Sequence, residues 1–385
     1  GGFTMNILMI GHEQIINGAS YSMLNLIDTL KDKCNFIIVS PFETGPFVDA
    51  IKSRNIEMYF VPFYRWVEVK DADFEIKQKN WENKYDTLNQ QLALKLASIL
   101  KDKNIDIIHS NTSVVDFGYR LSKIMNIPHI WHIREFGEGD FNMYPLCSYD
   151  EYYKKIADDN YLICISKAVR EKFKGKVSSL KLFLIYNGVG RENIYQRTNY
   201  NLDKKKKLIC LQAGMILKSK GQDITVKAID KLINKGYNIE LLLAGRGRIE
   251  DLGIESDKKW LKCLGQVNNL KELRKKVDIE IISSKKEAFG RVTVEAMMSG
   301  LAVIGTNSGG TVELIDNNKN GLLFEQDNAL DLADKIEYLY NNRSEIKRLG
   351  KNAYSSSKNK YLIDRCAKEI YSLYDKVRKE NERFK

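Results

Sequence analysis

Short apolar, β-branched runs separated by longer helical stretches recur along the whole 385-residue chain. That alternation is the signature of parallel sheets covered by helices, so it predicts an α/β architecture and argues against a sandwich or a helix bundle. In the first half the runs are Ile7–Gly11, Phe36–Ser40, Met58–Pro62, Ile105–Ser110, His129–His132, Tyr161–Ser166 and Leu182–Tyr186. The pattern then restarts with Leu208–Ala213, Glu240–Ala244, Ile279–Ser283, Ala302–Thr306 and Leu322–Phe324. Between the two series lies Asn193–Lys207, polar and ending in four consecutive lysines, which reads as a linker. At roughly 150 residues per domain the length suits two Rossmann-like domains, expected over 1–195 and 206–362. The amphipathic stretch 363–385 lies beyond the last expected strand and is predicted to pack back as a helix. Two such domains leave an interdomain cleft, and ligands of open α/β sheets bind outside the carboxyl ends of the strands.

Composition removes several function classes. With 43% hydrophobic and 29% charged residues the chain is neither disordered nor a small disulfide scaffold. Its six cysteines contain no Cys-x-x-Cys pair, and with only four histidines they do not fall into zinc spacing. Free thiols in a reducing cytoplasm are the expectation. Before Met5 there is no basic leader segment, and nowhere is there a run of about 18 apolar residues, so neither a secretory signal nor a membrane span is predicted. The net charge of +11 sits in the second half, where residues 201–385 hold 36 Lys+Arg against 26 Asp+Glu, compared with 25 against 24 before them. No finger, aromatic strand pattern or long basic stripe accompanies it, so nucleic acid is not an expected partner. The stretch Asp73–Ile99, after the aromatic cluster Phe60, Phe63, Tyr64 and Trp66, reads as a long polar surface helix or an acceptor-side insertion.

The densest chemical signal is the run from Ser283 to Gly300. A strand ends at Ser283, a turn carries Glu287 and Gly290, and a helix opens at Arg291. Glycine lets backbone approach a ligand closely, and the N–H groups at a helix start form an anion site suited to a diphosphate. Glu287 and Glu295 then flank that position, one able to grip sugar hydroxyls and the other a ribose diol; a glutamate in a first helical turn is also what the helix dipole favours. Asn17-Gly18-Ala19-Ser20 opens a helix after the first strand, a small-residue loop able to approach a donor. Lys218, Lys220 and Gly221 follow the first strand of the second half, and Ser308-Gly309-Gly310 opens another helix. Gly245-Arg246-Gly247 lacks the third glycine of a dinucleotide fingerprint, because position 250 is Glu250, which disfavours a dehydrogenase. The Tyr-x-x-x-Lys dyad of an epimerase is not placed for that role either.

Together these residues resemble the glycosyltransferase group 1 family, the family 4 retaining enzymes of GT-B fold, over almost the whole chain. Glu287 to Glu295 resembles the family's Glu-x7-Glu element, continued by Ala296-Met297-Met298-Ser299-Gly300-Leu301-Ala302-Val303 with Ala302 where proline is usual. Gly309-Gly310, Glu313, Asn320-Gly321, Lys220-Gly221 and Asn187-Gly188-Val189 reinforce it. The resemblance implies two facing Rossmann-like domains, the first for the acceptor and the second for a nucleotide-diphosphate sugar, most commonly UDP-linked. It implies retaining hexosyl transfer by front-face attack, without metal or other cofactor, in surface polysaccharide or glycoconjugate synthesis. Under it His132, Lys220 and Glu287 are the expected catalytic residues. Gly18, Ala19, Gly214, Lys218, Lys220, Gly290, Arg291, Val292 and Glu295 are expected at the donor, and Arg134 and Glu135 at the acceptor.

The sequence also departs from the family. Met215 stands where Arg is common, leaving Lys218, or else Arg246 or Arg291, to supply the second phosphate cation; Gly190 replaces an Asp and Ser283 a Pro. The Met215 change keeps open an inactive sugar-nucleotide-binding paralogue serving as a partner subunit. The acceptor is expected to be a glycan or lipid-linked glycan, with a protein or small soluble sugar as the alternative. Lys167, Arg170, Lys172, Lys174, Lys176 and Lys181 crowd one short segment against Glu171 alone. They predict either a solvated helix or a peripheral surface for anionic lipid at the cytoplasmic face.

Overall fold

The computed structural model describes residues 5–383. It divides into two compact units, Gly1–Gly188 with Ile363–Lys385, and Val189–Leu362.

The first unit is built on a seven-stranded sheet whose order is Glu57–Phe60, Cys34–Ser40, Met5–Ile10, Ile107–Ser110, His129–Ile133, Tyr161–Cys164 and Leu182–Leu184. Every pairing in it is parallel. Ile7, Met9, Ile38, Ile107, Ile130 and Ile163 are buried in one core cluster, as the near-continuous apolar runs demand. A separate antiparallel ribbon joins Val67–Val69 to Met143–Pro145. The expected long helix is three pieces, Phe74–Asn80, a π-helical turn Trp81–Tyr85 and Asp86–Leu100, with Trp81 buried at the irregular turn.

The second unit carries a six-stranded, all-parallel sheet in the order Leu261–Cys263, Ile239–Ala244, Leu208–Ala213, Ile279–Ile282, Ala302–Thr306 and Leu322–Phe324. In each sheet the first strand in chain order is third from one edge, and the order reverses beside it. Such a switch point opens a crevice at the carboxyl ends of the two strands that diverge there. In the second unit those strands are Leu208–Ala213 and Ile279–Ile282.

The dividing point lies at Gly188, upstream of the run read as a linker. Residues 193–207 pack on the second unit instead. Tyr195 N–H donates to Met298 O at 3.0 Å, Arg197 donates to Arg274 O, and Tyr200 Oη donates to Gly300 O at 3.0 Å. Gly300 and Gly350 leave the room this needs, since a Cβ on either would come within 3.0 Å of Arg197 or Tyr200. The terminal helix Ile363–Arg383 completes the first unit, burying Cys366, Ala367, Ile370, Leu373, Tyr374 and Val377 in the cluster that holds Met23 and Ile27. Where the chain re-enters, Val189 N–H donates to Tyr361 O at 2.8 Å, and a Cβ on Gly188 would sit 2.5 Å from Ile363 Cα. The glycine of Asn187-Gly188-Val189 is therefore required by backbone packing.

The basic segment 167–181 is less bare than its composition implies. Lys172 donates to Phe136 O, Lys174 pairs with Glu171, Lys181 with Asp159, and the Lys176 ammonium lies 3.7 Å from the Tyr153 ring centroid. No helix among the described residues is long and apolar enough to cross a membrane.

Candidate active site

At the switch point of the second unit three loops converge on the end of the buried strand Ile279–Ile282. Ser283, at its carboxyl end, receives a hydrogen bond from Gln212 Nε2 at 2.8 Å, donates to Gly221 O at 2.8 Å and lies 2.8 Å from Thr225 Oγ1. Lys285 N–H donates to Ser219 O at 2.8 Å, so the Lys218–Gly221 turn is stitched to this strand end. Gly221 has φ +68°, and a Cβ there would lie 2.1 Å from Ser283 O. Only glycine meets both demands. The result is a direct pair between two expected catalytic residues, Lys220 Nζ and Glu287 Oε1, 2.7 Å apart and each about a fifth to a quarter exposed.

The third loop closes from the other side. Gly310 N–H donates to Glu287 O at 2.7 Å, and Ser308 Oγ to Lys285 O at 2.7 Å. A Cβ on Gly309 would meet Glu287 O at 2.6 Å, and one on Gly310 would meet Ala288 O at 2.8 Å, which explains the glycine pair. Gly290, at φ +97°, turns the chain into the helix Arg291–Met298, which has no side-chain cap. The first-turn N–H groups of Val292 and Thr293 have no helical carbonyl behind them, and this end carries the positive end of the helix dipole.

Gly214, φ +137°, opens the first loop against Gly245, whose Cβ would lie 1.9 Å from Gly214 O; Ile216 N–H donates to Arg246 O at 2.7 Å. Thus Gly245-Arg246-Gly247 serves close packing of two loops. Met215 is 51% exposed. Lys218, expected to replace the missing cation, is instead ion-paired with the buried Asp223. Arg246 is exposed, and its backbone carbonyl accepts from Ile216 N–H, next to Met215 in the chain.

Glu295 is only 6% exposed and both its oxygens are taken: Oε2 by Arg274 Nη1 at 3.0 Å, Oε1 by Arg291 Nε at 2.7 Å. Arg274, fully buried, also forks onto Glu280 with contacts of 2.8 and 3.1 Å. Burial pushes the Glu295 pKa up, but the two guanidiniums outweigh it and hold the carboxyl below its ordinary value. For Glu280 burial wins over the single arginine and the pKa is raised. The expected ribose ligand is thus part of a buried ion network, because Arg274 needs two carboxylates to be tolerated in the interior.

The remaining expected residues lie in the first unit. Asn17 caps the helix Gly18–Leu30, its Oδ1 accepting from Ala19 N at 3.1 Å and Ser20 N at 3.2 Å while Ser20 Oγ accepts from Asn17 N–H at 2.7 Å in return. A Cβ on Gly18 would meet nothing within 4 Å, so its small size leaves open space at the helix start. His132 is fully buried at the end of its strand. Its Nδ1 lies 3.3 Å from Arg134 Nη2 and 3.2 Å from His109 Nε2, and His109 Nδ1 lies 2.5 Å from Tyr374 Oη. Arg134 can only donate, so His132 Nδ1 accepts and the proton resides on Nε2. That Nε2 is buried with no hydrogen-bond partner. Burial, with the Arg134 charge second, drives the His132 pKa well below its ordinary value and that of His109 to about 3, so both rings are neutral.

Arg134, expected to face the acceptor, is a brace instead. Its guanidinium donates to Asn111 O at 2.9 Å, Asn111 Oδ1 at 3.0 Å and Asn187 Oδ1 at 2.6 Å as well as to His132. Glu135 is buried, with Oε1 accepting from Thr112 Oγ1 at 3.1 Å, Ser113 N at 2.8 Å and Ser113 Oγ, and it lines an open recess. Among the described residues no three His, Cys, Asp or Glu side chains gather as a metal-holding group.

Sequence profiles of known families cover nearly all of this chain: that for glycosyl transferases group 1 matches residues 196–356, and that for Glycosyltransferase Family 4 matches 16–193. The chain belongs to the group 1, family 4 glycosyltransferases. An uncharacterised glycosyltransferase of Methanocaldococcus jannaschii is 28% identical over 288 residues, covering 73% of this chain and 78% of that protein. The N,N'-diacetylbacillosaminyl-diphospho-undecaprenol alpha-1,3-N-acetylgalactosaminyltransferase of Campylobacter jejuni is 27% identical over 369 residues, 86% of this chain and 94% of its own. Among solved structures, Anabaena HepE in complex with UDP and glucose superposes with a TM-score of 0.75 at 18% identity, over 96% of this chain and 99% of that one. The glycosyltransferase has the GT-B fold class, with parallel sheets in both units.

Sequence reasoning missed Arg274 and Asn187 as partners of site residues. Arg274 sits in a five-residue helix 21 positions from Glu295, and nothing local marks a lysine-rich segment's one arginine as buried. Asn187 was visible as a motif residue, but its contact with Arg134 joins positions 53 apart.

Proposed function

We propose that this glycosyltransferase moves a hexose-type sugar, with retention at the anomeric carbon, from a UDP-linked sugar to a glycan or lipid-linked acceptor in surface polysaccharide or glycoconjugate assembly. The observation that carries the donor half is the Lys220–Glu287 pair at the switch-point edge, beside the uncapped helix start at Gly290. In this reading Lys220 and the helix N–H groups at Arg291 and Val292 meet the diphosphate, where negative charge grows as the bond from the anomeric carbon to the phosphate oxygen breaks. The acceptor oxygen bonds that carbon on the same face, and its proton passes to the departing phosphate oxygen. Glu287 exchanges part of its hold on Lys220 for sugar hydroxyls, and Glu295, steadied by Arg274, takes a ribose diol as Arg291 swings to phosphate. Gly18, at the start of the first unit's helix Gly18–Leu30, leaves open space suited to a ligand. His132, being neutral with its proton on Nε2, acts as a hydrogen-bond donor rather than as a base, and that orphaned N–H is itself a reason to expect a ligand acceptor there.

Because cationic side chains and helix amides supply the charge, the reading needs no metal. HepE's complex with UDP and glucose supports the donor class, and the Campylobacter relative's lipid-linked acceptor supports the acceptor class. A peripheral position at the inner membrane face belongs to the same proposal, with Leu180, 78% exposed, beside the basic segment as its contact surface. Thermal-shift comparison of UDP, GDP and ADP tests the donor site, since a ligand at 100 times its Kd adds about 2.7 kcal/mol. UDP should give the largest shift, and no shift with any nucleotide would refute the assignment. One observation favours a second reading, a nucleotide-sugar-binding subunit without transfer: the exposed Met215 in place of a phosphate cation. Product detection with mixed nucleotide sugars separates the two.

A further inference from the structure

Three hydrogen-bonding side chains meet inside the apolar core of the first unit. His109 lies on the strand Ile107–Ser110 and His132 on the neighbouring strand His129–Ile133, and the register pairs His109 with Ile130. Side chains alternate along a strand, so Ile107, His109, Ile130 and His132 share one face of the sheet. Ile107 and Ile130 are buried with Ile370, Leu373 and Tyr374 of the terminal helix Ile363–Arg383. His109, His132 and Tyr374 are each 0% exposed. Polar groups cost free energy in such a core unless hydrogen-bonded, and leucine at 109 with phenylalanine at 374 would fill the space without that cost.

The donors and acceptors run in one direction. Arg134 makes His132 Nδ1 an acceptor, so His109 Nε2, 3.2 Å away, carries a proton and donates to it. Neutral His109 is then bare at Nδ1, and Tyr374 Oη, 2.5 Å from that nitrogen, is the donor. Each donation in such a chain polarises the next. Arg134 sets the direction, yet its contact of 3.3 Å is the longer one and its guanidinium is also bound to Asn111 and Asn187. At the far end His132 Nε2–H is buried with no partner among the described residues. A network that served only the core would close on itself, whereas this one ends on a donor without an acceptor. We propose that Tyr374 and His109 are positioning residues of the transfer reaction, a hydrogen-bond chain that fixes the ring and tautomer of His132 and strengthens its Nε2–H as a donor to substrate. The terminal helix thereby acts on the site through one hydroxyl. The inference rests on the reading of His132 as a hydrogen-bond donor to bound substrate.

The double variant His109→Leu with Tyr374→Phe separates a positioning role from a packing one, because replacing both partners of a buried hydrogen bond by apolar groups of similar shape is nearly neutral for stability. Its Tm should stay with that of the parent chain. Its kcat for UDP release, measured with whichever of UDP-glucose, UDP-galactose, UDP-N-acetylglucosamine and UDP-N-acetylgalactosamine the parent turns over, should fall about threefold to tenfold, the worth of one neutral hydrogen bond. His109→Gln, whose amide N–H offers a donor to His132 Nδ1, should recover most of that loss. The chain has four histidines, so their imidazole ¹⁵N signals can be assigned by single substitution. In the parent His132 should carry its proton on Nε2, and in the double variant its Nδ1 signal should move towards the unbonded position. Should the double variant misfold, Tyr374→Phe alone deletes one hydroxyl and reads the same effects, with His109 Nδ1 as the reporting nitrogen. A parent His132 protonated on Nδ1, a reporting signal that stays in place, a kcat within about twofold of the parent, or a loss that His109→Gln does not relieve overturns the inference. The UDP thermal shift should be the same in every variant. No turnover by the parent chain would strike the proposed function and this inference with it, whereas turnover in the parent together with any of those results overturns this inference alone.

Discussion

Replacing Arg274 with methionine should damage the second unit more than any change at its surface. The guanidinium is fully buried, forks onto Glu280, itself fully buried, and holds Glu295, which is 6% exposed. Arg274→Met keeps comparable bulk but leaves Glu280 with no cation and Glu295 with only Arg291. Removing one partner of a buried ion pair costs about 3–5 kcal/mol, because the remaining charge is stranded in low dielectric. For a unit of the 150–250-residue class, where 1 kcal/mol moves Tm by about 2–4 °C, the expected fall is about 6–20 °C. The sign of its pH dependence follows from the same contacts. With the arginine gone both carboxyl pKa values rise, the folded variant binds protons that the unfolded chain does not, and its deficit should shrink as the pH falls through those raised values. The double variant Arg274→Met with Glu280→Gln should recover part of the loss. Calorimetry across pH, with hydrogen exchange over the strand Ile279–Ile282 to localise the effect, is the measurement. A fall in Tm under about 2 °C, or a deficit that neither acid nor the second substitution relieves, would refute the account of Glu295 as an anchored carboxylate.

Lys220→Ala and Glu287→Ala should each lower kcat by about 10²–10³ while circular dichroism stays unchanged, and turnover within a few-fold of the parent for both would remove the mechanism. Turnover should persist in excess EDTA; complete loss restored by Mg²⁺ would show that a metal carries the phosphate charge. Burial holds the His129 pKa at about 3. Its neutral form therefore contributes stability that is fully present above about pH 6.5 and is lost as the pH falls towards 3, at most about 5 kcal/mol. His129→Gln, which keeps an amide for Ser110 and Asn160, should flatten the acid limb of the stability profile by one proton, read from urea midpoints at a series of pH values. Co-sedimentation with anionic vesicles at low salt should be weakened by Leu180→Ser, and absence of any binding at low salt would discard the membrane-face proposal.

Much of the fold and part of the site were legible in the amino-acid order because they rest on local physics. The apolar runs declare parallel strands wherever both faces are covered, and all thirteen strands of the two parallel sheets are short apolar or mixed runs of this kind. Gly221, Gly290, Gly309 and Gly310 announce left-handed or crowded backbone, and the structure puts each against a neighbour that a Cβ would strike or strain. Lys220 and Glu287 were each legible as strand-end site residues, whereas their ion pair came from the adjacency of the strands Leu208–Ala213 and Ile279–Ile282.

What tertiary structure alone decided is how each charged side chain is spent. Ion pairing depends on distances between positions far apart in the chain, and no periodicity encodes it. Lys218 reads as a phosphate cation until Asp223 is seen to hold it, and Arg134 reads as an acceptor ligand until Asn111, Asn187 and His132 take its donors. Lys172 reads as one charge in a basic run until it turns inward to Phe136 O and the recess beside Glu135. The polar run 193–207 reads as a linker because solvated composition and packed backbone look alike until Gly300 and Gly350 are seen to make room for it. Composition counts charges, whereas burial assigns their partners, because the cost of stranding a charge away from water is set by its surroundings in three dimensions.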